Sequence, residues 1–104
     1  MKLIDTRNPE APSELIYVSA NQTLRWMPTT LGGTYHLYKQ NFRGNWERIY
    51  SVTPADNSEI SYLLPAPLQF EDQDGNKIYH RFKVQVQSSS GLMNLTDQEI
   101  TISE

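Results

Sequence analysis

Two histidines, one short acidic run and one aromatic hairpin are the places where this sequence has residue types able to do chemistry. His36 and His80 are the only histidines, and acid–base or metal chemistry needs such a group held beside a nucleophile, a second base or further ligands. Both stand in alternating, strand-like runs, and neither belongs to a triad or a metal-ligand spacing. The chain is therefore read as non-catalytic, with no metal site and no cofactor. The run Glu71, Asp72, Gln73, Asp74, Gly75, Asn76 sets oxygen ligands at alternate positions, as a calcium loop does. Its glycine falls two places early for an EF-hand, and the twelfth position is Lys83 where a bidentate glutamate is needed. The plainer reading is a solvated Asp-Gly turn, with Glu71, Asp72 and Asp74 kept as loop candidates for binding.

Tyr38, Phe42, Trp46 and Tyr50 surround a single hairpin and are the candidate binding residues. Cross-strand neighbours of this kind can present an aromatic patch to a protein or a sugar. The simpler alternative is that half of them face the core while the rest brace the hairpin. A buried Trp46 would remove the main support for a sugar site.

The elements that must position these groups are strands. The stretch 77–91 is the longest alternating run: Phe82, Val84 and Val86 interleave with Arg81, Lys83, Gln85 and Gln87, a period of two with one face buried and one wet. Before it, strands are predicted over 15–18, over 23–26 with Leu24 and Trp26 on one face, and over 34–40 with Tyr35 and Leu37 set against His36, Tyr38 and Gln40. Further strands are predicted over 46–52 and over 59–64, where Ile60, Tyr62 and Leu64 alternate. A last one carries Ile100 and Ile102. Gly32 and Gly33, the glycine of 41–45, the residues 56–58 and the Asp74-Gly75 pair punctuate the runs, and Pro28, Pro54, Pro65 and Pro67 close them. No segment has helical periodicity, so about seven short strands at this spacing predict an all-β fold, a seven-stranded antiparallel β-sandwich.

Size and charge set the remaining bounds. A chain of 104 residues with 38% hydrophobic and 11% aromatic residues has material for one core and one domain. Residues 1–10 read as an N-terminal extension or linker, and 11–104 as the domain. The formal net charge is −3 and the nine Lys and Arg are scattered, which argues against nucleic acid and anionic membranes as partners. Without cysteine, disulfides and thiolate chemistry are excluded. No signal peptide or membrane-spanning run is visible, so the chain is expected to be soluble, without membrane insertion. A fragment excised from a longer secreted protein would look the same. Asn21 and Asn94 open N-x-T sequons, which matter only in a secreted eukaryotic protein.

Taken together, residues 11–28 (A-P-S-E-L-I-Y-V-S-A-N-Q-T-L-R-W-M-P), the Y-H-L-Y run, the tryptophan-bearing hairpin, I-S-Y-L-L-P and F-K-V-Q-V-Q-S-S-S-G resemble a fibronectin type III domain over about 11–103. The resemblance places Trp26 at that family's second-strand tryptophan, Tyr35 and Leu37 at its third-strand core positions, and Phe82, Val84 and Val86 at its sixth-strand core. It breaks down in two places. The family's corner tyrosine, two residues before Phe82, is His80 here, with Tyr79 one residue early. Either a bulge turns Tyr79 inward or the corner is rebuilt around the histidine. The segment 65–77 is also longer than the family's usual connection, and such a loop is a natural place for individual function.

The resemblance implies a spacer or protein-binding unit in a larger surface, secreted or virion-associated assembly, extracellular or cell-surface in location, with a protein partner or neighbouring domains of the same assembly. Two other classes stand beside it: an accessory or carbohydrate-binding module of a secreted hydrolase, and a self-associating structural subunit.

Overall fold

Alternation of β-branched and aromatic residues with polar ones builds seven strands in the computed structural model, which describes residues 12–30, 32–93 and 98–103. They are Ile16–Val18 (β1), Thr23–Trp26 (β2), Thr34–Gln40 (β3), Trp46–Val52 (β4), Ile60–Leu63 (β5), His80–Gln87 (β6) and Gln98–Ile102 (β7). No helix occurs among the described residues. One antiparallel sheet has the order β1-β2-β5 and the other β4-β3-β6-β7. The proposed extension 1–10 and the Asn94 sequon lie outside the described residues.

The inward residues of both sheets form one core. Leu24, Trp26 and Ile60 meet Tyr35, Leu37, Phe82, Val84, Val86 and Ile102 there, as expected when the apolar halves of two pleated sheets are pressed together. Gly33 enters β3 close against its partner strand β6, and a Cβ at that position would lie 2.9 Å from Val86 Cγ2. The Tyr35 hydroxyl accepts from the backbone N–H groups of Thr29 and Thr30, at 2.7 and 3.0 Å, so a core ring also pins the β2–β3 connection.

The long run 77–91 supplies a shorter strand than its alternation predicts. Ile78 N–H donates to the Phe70 carbonyl and Glu71 bridges Lys77, so the chain before His80 folds into a narrow hairpin of its own. At the other end, Ser88 opens a turn that closes with Ser88 N–H donating to Leu92 O. Leu15, predicted as the start of the first strand, precedes β1 and is buried in the core.

A register shift between Leu37 and Tyr38 gives β4 an extra residue opposite β3. Arg48 faces Tyr38 and Tyr50 faces Leu37, so Ile49 is the additional residue of a bulge. Simple alternation would send Ile49 and Tyr50 to opposite sides, yet both pack against the core.

Candidate functional site

The bulge divides the aromatic hairpin. Tyr50 turns inward and its ring lies 4.9 Å from that of Tyr62 across the two sheets, whereas Tyr38 and Trp46 stand on the outer face of the four-stranded sheet, aligned with Gln40 and Arg48. The four candidate binding residues therefore do not form one patch. Lys83 Nζ sits 4.6 Å from the Trp46 ring centre and 5.4 Å from that of Tyr38, and the Arg81 guanidinium lies 5.4 Å from Trp46. Arg81 is held in turn by Gln40 and by an ion pair with Glu99. Trp46 is half-buried, and its ring packs against these cations.

His36 alternates with the inward Tyr35 and Leu37 and so stands on the amphipathic face with Tyr38 and Gln40, yet it is only 7% exposed. Its Nδ1 is 2.7 Å from Ser51 Oγ and its Nε2 is 3.0 Å from Gln87 Oε1. The Gln87 oxygen can only accept, so Nε2 carries the proton of that bond. The ring joins the two strands flanking β3, and its polar atoms are satisfied by that structural bridge.

His80 resolves the choice left open at the corner. Its Nε2–H donates to the Gln69 carbonyl at 2.6 Å, and its ring meets Phe70 edge-on at 5.7 Å, while Tyr79 is 60% exposed. The corner is built around the histidine, eleven residues after the carbonyl it holds.

That bond anchors the long 64–79 connection over the end of the sandwich. Beneath it lies an apolar cleft of about 440 Å³, bounded by Ile49, Tyr62, Ala66, Leu68, Ile78 and His80. A second hollow of about 360 Å³ adjoins it through Lys39, Ile78 and His80, and is also lined by Phe42. Sequence reasoning marked the connection as a place for function but did not identify the cleft. The spacing of Ala66, Leu68 and Phe70 between prolines and a turn was the available signal.

Phe42 is 94% exposed at the tip of the β3–β4 hairpin, yet the tip is well held. Asn41 Oδ1 accepts from the N–H groups of Arg43 and Asn45, Gly44 N–H donates to Asn41 O, and Asn41 Nδ2 donates to Glu47. Gly44 takes φ +86°, a conformation that favours glycine. The Arg43 guanidinium lies 5.5 Å from the Phe42 ring centre.

The acidic run repeats this turn. Asp72 Oδ1 accepts from Asp74 N–H and Asn76 N–H, Asn76 Nδ2 donates to Asp72 Oδ2, and Gly75 N–H donates to Asp72 O. These bonds, led by that from the Asn76 backbone, hold the Asp72 carboxyl below its usual range. Its oxygens face the amides of its own turn, and no grouping of three or more metal-ligating side chains occurs among the described residues. Glu71, Asp72 and Asp74 are all exposed, giving this hairpin a negative tip beside the cleft. No helix among the described residues is long and apolar enough to cross a membrane.

Searches of protein-family models, curated proteins and solved structures find no match to the chain.

Proposed function

We propose that the chain is a non-catalytic, fibronectin type III-like module over 11–104, a spacer or protein-binding unit in a larger surface, secreted or virion-associated assembly. Support for the family comes from the burial of Trp26, Tyr35, Leu37, Phe82, Val84 and Val86, the residues on which the resemblance rests. His80 adds to it by tying its side chain back to an upstream carbonyl, the role of the family's corner tyrosine. Pairing of β4 with β3 separates the chain from the constant-type immunoglobulin arrangement, in which the fourth strand joins the sheet of the first, second and fifth.

One observation carries the binding role: a fully displayed Phe42 on a hydrogen-bonded tip stands beside an apolar cleft at the same end of the molecule. An apolar ring held outward on a rigid turn loses little entropy on docking, which suits a protein partner. The outer aromatics fit a sugar platform less well, since Arg81 and Lys83 lie against Trp46.

The test is photo-cross-linking from position 42 in the intact source protein within its own assembly, with mass spectrometry of the product. A link to a protein component is expected. Retention on a glycan array that is lost with Trp46→Ala would replace this reading with the carbohydrate-binding one.

A further inference from the structure

The displayed ring and the apolar cleft belong to the same end of one chain, and this makes the end self-complementary. Phe42 lines the smaller hollow, which shares Lys39, Ile78 and His80 with the larger cleft. A site placed beside its own complement can be satisfied twice by a two-fold rotation, each copy giving a ring and receiving one. The charges follow the same pattern. Arg43 accompanies the Phe42 ring, and the hairpin between Gln69 and Ile78 at the rim of the cleft carries Glu71, Asp72 and Asp74 against the single Lys77 opposite Glu71, so it is net negative and complements the guanidinium of a ring entering from outside.

We propose that this end docks onto a second copy of the chain, with the Phe42 ring of each copy entering the other's cleft beside Ala66 and Leu68, and Arg43 facing the partner's acidic turn. A cavity of about 150 Å³ is enough to hold benzene, so a cleft of about 440 Å³ accommodates the ring with room for its neighbours. The contact is small, which makes the pair concentration-dependent. The proposal rests on the reading of the chain as a binding module and names its partner.

Sedimentation equilibrium of the chain from about 10 μM to about 1 mM, the range of weak interfaces, is expected to show a monomer–dimer equilibrium. Phe42→Ala should weaken it by about tenfold or more, with thermal unfolding of the dilute monomer unchanged because the ring is almost wholly exposed. Ala66→Arg, at an exposed position lining the cleft, should weaken it similarly. The decisive arm mixes the two variants: the Phe42→Ala chain keeps an open cleft and the Ala66→Arg chain keeps its ring, so the mixed pair retains one of the two ring–cleft contacts where each homodimer retains none, and the mixture should associate more tightly than either variant alone and more weakly than the parent.

A chain that stays monomeric throughout, a dimer indifferent to Phe42→Ala, or a mixture that associates no more tightly than either variant alone would each overturn the proposal. If the chain is monomeric while position 42 cross-links to a different protein in its assembly, the homotypic contact falls and the module reading stands. If it is monomeric and nothing cross-links there, both fall.

Discussion

His80 fixes the entry to β6 by two contacts: its Nε2–H reaches back to the Gln69 carbonyl, and its ring packs edge-on against Phe70. His80→Phe keeps the ring and removes the bond, so it should cost about 1 kcal/mol and speed hydrogen exchange across 69–78; unchanged exchange would mean that the bond does not hold the connection. Trp26 is 1% exposed, so Trp26→Ala, a large-to-small change in a closed core, should cost about 3–5 kcal/mol. The indole Nε1 is buried without an acceptor among the described residues. Replacing it relieves an unpaired donor, so Trp26→Phe should cost well under the alanine value in chemical denaturation. A loss below about 1 kcal/mol for Trp26→Ala, typical of a surface position, would contradict its place in the core.

Among the elements, three turns share one solution. Asn41, Asp72 and Ser88 each use a side-chain oxygen to accept backbone N–H groups two or four residues ahead, and a glycine with positive φ follows three residues later. Such side chains imitate the backbone in a turn, and glycine supplies the left-handed step. Because the folded Asp72 carboxyl titrates below the ordinary value of 3.8, its contribution is present above that pH and is lost as pH falls through the folded value. Asp56, held down mainly by the Ser58 backbone N–H, acts in the same direction. Asp72→Asn keeps the acceptor, as Asn41 does in its own turn, and should flatten part of the acid limb when urea midpoints are followed from about pH 5 to about pH 3. An acid limb identical to the parent's would rule out this role. At the β2–β3 connection, Gly33→Ala forces a Cβ against Val86 and should cost about 1–3 kcal/mol by overpacking, read from the shift in denaturation midpoint.

For the whole molecule, β1–β2, β3–β4 and β6–β7 pair consecutive strands, but the two sheets are completed by β2–β5 and β3–β6, which join segments distant in sequence. Such a topology closes long loops before contacts reward them, so refolding should take milliseconds to seconds and not microseconds, as stopped-flow tryptophan fluorescence can measure. The docking end is also a property of the whole: hairpin tip, histidine corner and acidic turn come from separate connections and meet only because β3 ends where β6 begins.

The strands, their inward residues and the turn at 72–76 were legible in the sequence, because side-chain alternation and Asx-glycine turn chemistry are local and repeat every two to five residues. Tertiary structure decided what depends on distant neighbours. The bulge turns both Ile49 and Tyr50 inward, His36 is buried between Ser51 and Gln87, and Arg81 and Lys83 lie on Trp46. It also chose His80 over Tyr79 for the corner and placed an exposed Phe42 beside a cleft formed by the connection 64–79. In each case the deciding partner lies on another strand or loop, and no periodicity along one segment encodes where that partner will stand.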